Sequence, residues 1–140
     1  MAPDIALQIA IHDRLISAPA LTALVPAANI KDAGTRPDDF PCIRLGDAQI
    51  VREGETRTTR SVRVYMDLHC WAHREGGNLE ARAIADEVRN ALSGELDVAG
   101  QELWGNFWVT GYRTLRDPKD YGHVIVSVEA LMTEVRHAHG

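Results

Sequence analysis

Residues able to do chemistry are thinly spread along this chain, and the tightest group is His69, Cys70 and His73. In an extended strand rising ~3.3 Å per residue, the two histidines stand about 13 Å apart, whereas zinc ligands lie about 2 Å from their ion. Cys70 points to the opposite side of such a strand. The spacing therefore predicts an exposed polar face backed by a buried cysteine, with no metal required for folding. His137 and His139 lie near the C-terminal end, where chains fray, and make no rigid site. A cysteine nucleophile needs exposure and a neighbour that stabilises the thiolate, yet Cys42 and Cys70 both fall in half-buried, strand-like segments. No G-x-S-x-G elbow occurs, and Gly94 and Gly100 lack the remaining pattern of a phosphate loop. Asp38 and Asp39 stand among turn residues, where solvated turn chemistry accounts for them. No pattern nominates a catalytic group, a cofactor or a metal.

Two other groups of side chains invite a binding role. Arg52, Arg57, Arg60 and Arg63 form a basic run, but Glu53 and Glu55 dilute it and the segment offers no aromatic ring for a base to stack on. Residues 52–60 carry almost no apolar content and read as a polar hairpin tip or loop, available for assembly contacts. Trp104, Phe107, Trp108 and Tyr112 make the one aromatic concentration. Strand periodicity places Trp104, Trp108 and Tyr112 on one face, with Phe107 and Val109 on the other. Either helix and sheet cover that strand on both sides, or its rings meet another subunit, where Trp and Tyr are enriched. Tyr65, His69 and Trp71 form a second outward row.

The elements that carry these residues follow from periodicity. Residues 4–17 have apolar side chains at helical spacing (Leu7, Ile11 and Leu15, with Ile5, Ile9 and Ile16 alongside), and Asp4 is placed to cap them. Pro19 opens a short turn or helix before Pro26, and Ile30 centres a short strand. Residues 41–51 read as a strand with a bulge at Gly46. Val62, Val64, Met66, Leu68 and Cys70 then alternate with polar residues in the clearest strand. A second helix runs from Asn78, read as its cap, to about Ser93; its stripe is Ala81, Ile84, Ala85, Val88, Ala91 and Leu92, and Gly94 ends it with positive φ. Residues 96–103 suggest a small hairpin turning at Ala99 and Gly100, and residues 107–115 a longer strand. Residues 117–122 form a turn, and Val124, Val126, Val128, Ala130 and Met132 alternate in the last strand. The order of elements predicts an α+β class: an antiparallel or mixed β-sheet with two main helices packed on one face.

With 140 residues the chain has the length of a single domain, 1–140, large enough to build a core without staples. Twenty acidic against 15 basic residues give a net charge of −5, which weakens any non-specific attraction to nucleic acid. No apolar run approaches the ~18 residues of a membrane span. The opening Met-Ala-Pro-Asp has no basic region of a secretory signal, and two cysteines fit a reducing compartment.

Four stretches occur in an order and spacing that resemble the tail-completion, or tail-terminator, proteins of long-tailed phages and gene transfer agents. They are ALQIAIHDRLISAPALTALV at 6–25, FPCIRLGD at 40–47, VYMDLHCWAHREGGNLEARAIADEVRNAL at 64–92 and RDPKDYGHVIVSVEALMTEV at 116–135. The resemblance implies a non-enzymatic virion protein without cofactors, made in the bacterial cytoplasm and placed at the neck-proximal end of the tail. It further implies a homo-hexameric ring that caps the tail tube, ends its polymerisation and receives the head–tail connector or stopper protein. DNA would pass through without specific binding, which suits an acidic chain. The alternative that the residues leave open is a small ligand-binding or enzymatic α+β domain. On the terminator reading, the candidate subunit or tube contacts are Arg52, Glu53, Glu55, Arg57, Arg60, Tyr65, His69, Trp71, Trp104, Trp108 and Tyr112.

Overall fold

Apolar residues at two periods, helical and alternating, dictate a sheet with helices on one side. A computed structural model describes residues 2–32, 37, 39–98 and 107–135. Helix α1 spans Pro3–Ile16 and α2 spans Pro19–Thr22, followed by a 3₁₀ turn at Ala27–Asn29. Strands β1 (Ile30–Asp32), β2 (Cys42–Glu55) and β3 (Thr59–Ala72) precede α3 (Gly77–Ala91), and β4 (Phe107–Leu115) and β5 (Gly122–Val135) follow it. The sheet order is β1-β2-β3-β5-β4, mixed only because β1 runs parallel to β2; every other neighbouring pair is antiparallel. The α+β class is as expected.

The core lies between the helices and one face of this sheet. Leu7, Ile11 and Leu15 of α1 and Ala81, Ile84, Ala85 and Val88 of α3 pack with Val64, Met66, Leu68, Val124, Val126 and Met132 from the strands. Burying one such aliphatic side chain contributes about 1.5–3 kcal/mol through removal of apolar surface from water. Arg14 ties the two helices together. Its guanidinium donates to the carbonyl oxygens of Ala91 at 3.3 Å and Ser93 at 3.2 Å, and also to that of Glu95. These carbonyls lie in the last turn of α3 and just beyond it, where a cation complements the helix dipole. Gly94 has φ +87°, as its place past the apolar stripe predicts.

The caps differ from expectation. Pro3 takes the first position of α1, Ala2 precedes it, and Asp4 falls inside the first turn without a capping bond. Asn78 lies within α3, after Gly76 and Gly77, and its Oδ1 accepts from the backbone N–H of His123 at 3.1 Å. The bond joins the start of α3 to β5 instead of closing the helix. At that junction a Cβ on Gly122 would stand 2.0 Å from the carbonyl oxygen of Gly77, so only glycine fits.

Residues 52–60 form the tip of the β2–β3 hairpin, the first of the two expectations, and most of them are ladder rather than loop. β2 continues to Glu55, with Arg52 opposite Val62, Gly54 opposite Ser61 and Glu55 opposite Arg60. Backbone bonding to a long partner strand sustains a ribbon without an apolar face, and charge pairs assist it: Arg52–Glu55 at 3.4 Å and Arg60–Glu55 at 3.7 Å. The turn is only Thr56 to Thr59, closed by the Thr59 amide donating to Thr56 Oγ1 at 2.9 Å. The expected irregularity near Gly46 is present as a register shift between Leu45 and Ala48. Leu96 and Val98 are buried outside any strand, and the turn expected at Ala99 and Gly100 lies outside the described residues.

Candidate assembly surface

Alternation in β3 sends one set of side chains to the helices and leaves Arg63, Tyr65, Asp67, His69 and Trp71 on the sheet's second face. No described helix covers that face. β5 adds His123, Ile125, Ser127, Glu129 and Leu131 by register, and β4 adds Trp108 opposite Glu129.

The centre of this face is a charge network. Arg63 donates from Nε to Glu53 at 2.7 Å and from Nη1 to Glu129 at 2.8 Å, and both bonds hold its pKa up. Ser127 donates to Asp67 at 2.7 Å, and Arg113 of β4 approaches Asp67 at 3.6 Å. Tyr65 and Trp108 flank the network with 39% of their surface exposed.

Toward the other end the polar network gives way to stacked rings. His69 Nδ1 and His123 Nε2 share a hydrogen bond of 2.8 Å. The ring of His123 lies on Trp71, 3.7 Å between centroids and 13° from parallel. Phe40 meets Trp71 edge-on at 6.2 Å and stacks on Tyr121 at 3.9 Å, and the Arg74 guanidinium sits 4.8 Å from the Tyr121 ring centroid. Burial holds the His69 pKa below its ordinary value; Arg113 adds to the lowering, while Asp67 and Asp47 oppose it. Trp71 therefore stands on the outward face but is covered by rings of its own chain. It offers little to a partner.

The aromatic strand is corrected at one position. A register shift between Val109 and Gly111 inserts an extra residue, so Trp108 opposes Glu129 on the open face and Tyr112 opposes Val126 on the helix face. There Tyr112 packs against the core with Phe107 and Val109, and the Arg82 guanidinium of α3 lies 4.6 Å from its ring centroid. Periodicity without the bulge had put Trp108 and Tyr112 together. Trp104 lies outside the described residues.

The sequence-selected groups thus separate. Glu53 joins Arg63 in the central network, Arg52, Glu55 and Arg60 pair along the outer ribbon, and Arg57 is exposed at its tip. Sequence reasoning missed Phe40, Tyr121 and His123 as the cover of Trp71. His123 shares the strand parity of Ser127 and Glu129, which was the available signal; Phe40 and Tyr121 arrive from loops, where periodicity says nothing.

Chemically the surface is suited to contact rather than turnover. His69 is engaged by His123 and His73 by Glu80 at 2.9 Å, so the two histidines serve different partners. Both cysteines are buried, and burial pushes the Cys70 thiol up, away from a reactive thiolate. Among the described residues, no group of three His, Cys, Asp or Glu side chains is arranged to hold a metal. A shallow depression of about 620 Å³ between α1 and β1 is lined by Ile5, Ile9, His12, Ile30 and Lys31; His12 Nε2 lies 3.0 Å from the Ile30 carbonyl oxygen rather than beside a nucleophile.

Residues 9–133 match the family model described as tail completion protein gp17. The chain belongs to that family. It is a structural component of the virion tail, not an enzyme. No match was found among curated proteins. Among solved structures, a chain in the virion of a native gene transfer agent particle matches with a TM-score of 0.81 and 22% identity, over 94% of this chain and 98% of that one. This tail completion protein therefore shares its fold with that chain over nearly the full length of both.

Proposed function

We propose that six copies of this tail completion protein, each a single domain of residues 1–140, form a ring on the last ring of the tail tube. The ring ends tube polymerisation and presents its far side to the head–tail connector or stopper protein. The observation that carries this reading is the one-sided sheet in a chain of this family: its second face bears Tyr65 and Trp108 beside a charge network and has no described cover. Aromatic rings beside paired charges are the composition of protein contact surfaces. Contacts from this face and from the β2–β3 ribbon are assigned to Arg52, Glu53, Glu55, Arg57, Arg60, Tyr65, His69 and Trp108. DNA passes the ring without specific binding, in keeping with the net charge of −5.

A terminator works by matching tube protein on one side and not on the other. Its removal should leave filled heads without tails, and tails longer than normal. The test is the distribution of tail lengths in a deletion lysate viewed by negative stain. Tails of normal length joined to full heads would overturn the terminator reading.

A further inference from the structure

A five-stranded open sheet has two edges, and among the described residues both have long stretches with no strand beside them. On one side β1 covers β2 only from Ile43 to Leu45, so no described strand lies along the outer edge of residues 48–55. On the other side the nine residues of β4 have β5 as their one described partner. Neither stretch contains proline, the simplest way to blunt an edge. Each edge also exposes large apolar side chains: Ile50 at 44% and Val51 at 38% on opposite faces of β2, and Trp108 at 39% on β4.

The directions of the strands decide what can fill these edges. β2, β3, β5 and β4 alternate in direction, so β2 and β4 point opposite ways. When one copy is related to the next by rotation about an axis running roughly along the strands, the β4 edge of the first meets the β1–β2 edge of the second in antiparallel orientation. That is the ladder type the sheet already uses. The two edges are also offset: Gln49, Tyr65, Glu129 and Trp108 lie in one row, so much of β4 is level with the part of β2 that β1 occupies. Sliding β4 toward the Thr56–Thr59 turn brings it onto the free stretch, and a stagger of this kind is what closing a sheet around an axis requires.

We propose that the partner of each edge is a second copy of this chain: β4 of one subunit pairs antiparallel with residues 48–55 of the next, so that the sheet continues around the assembly. The contact is heterologous, one edge meeting a different edge, and so closes a ring. This rests on the ring reading above and adds to it the strands that join the subunits.

Hydrogen exchange read by mass spectrometry, on assembled particles against the dissociated chain, tests it with the unaltered protein. Pairing slows exchange of amides in both residues 48–55 and residues 107–115, by about tenfold or more. Rings visible by negative stain with only one edge protected, as in a two-fold dimer of β4 against β4, or with neither protected, overturn the edge pairing and leave the ring reading intact. Absence of any ring from assembled tails removes both. Independently, Arg52→Cys with Thr110→Cys places one exposed thiol on each edge while Cys42 and Cys70 stay buried. In particles, a short bismaleimide then gives covalent chains longer than two subunits, whereas each single variant stops at the dimer. Dimers alone from the double variant would overturn the pairing.

Discussion

The two faces of this sheet are made of alternate residues in the same strands, yet they obey different rules. Beneath the helices stand Val62, Val64, Met66, Leu68 and Cys70 beside Val124, Val126, Val128, Ala130 and Met132, with no charge among them. On the other face, Arg63 is shared by two glutamates, Asp67 by a serine and an arginine, and a histidine pair is roofed by aromatic rings. The first face stabilises the fold by excluding water, so what matters there is volume and shape. The second spends its polar groups on directed bonds and leaves Tyr65 and Trp108 part exposed, which is the surface the proposed contacts would use.

The largest expected effect lies under the helices. Leu68→Ala should lower stability by about 2–5 kcal/mol, because Leu68 is fully buried and its loss leaves a cavity. Thermal or urea unfolding measures it, and a change below about 1 kcal/mol would mean that the helices do not close this face. Gly122→Ala comes next, at about 1–3 kcal/mol, since its Cβ would have to displace the Gly77 backbone at the start of α3. Equal melting temperatures for this variant and the parent would remove the close approach.

The open face should reveal itself through pH. His69 has its pKa held below the ordinary 6.5, so it binds protons more readily unfolded than folded. Its contribution to stability is complete above about pH 6.5 and is lost as pH falls from there through the folded value. His123, Asp67, Asp47 and Arg113 surround it, so the readout is a difference: His69→Gln should flatten the decline of melting temperature as pH falls below about 6.5. An unchanged slope would place the acid sensitivity elsewhere. The smallest effect on folding is expected for Trp108→Ala, about 1 kcal/mol, because 39% of the residue stays exposed in the fold. The same variant should nonetheless lower the yield of complete particles. A large loss of stability would show that Trp108 serves the fold.

Much of the architecture was legible because burial imposes periodicity on sequence. The stripe of α3, the alternation of β3 and β5 and the positive φ of Gly94 could all be read before any coordinate. The surface was less legible. One inserted residue near Thr110 turned Tyr112 toward the helices, and a bulge leaves no periodic signature when both faces of a strand carry rings. The ribbon of residues 52–55 was hidden for a related reason: its strands are held by backbone bonds to one another and to β5, which place no demand on side-chain polarity.

By itself, then, the sequence determined most of the residues that leave water, and with them the α+β class, the helix face of β3 and β5 and the ordered motifs of the tail completion family. Those properties depend on local spacing and on the transfer of apolar groups, both of which are written residue by residue. Only the tertiary structure decided that Phe40 and Tyr121 close over Trp71, that Arg63 bridges Glu53 and Glu129, and that no described strand lies beyond β4 or along most of β2. These depend on which distant segments become neighbours and in what register, and a register is set by the packing of whole strands together rather than by any one of them.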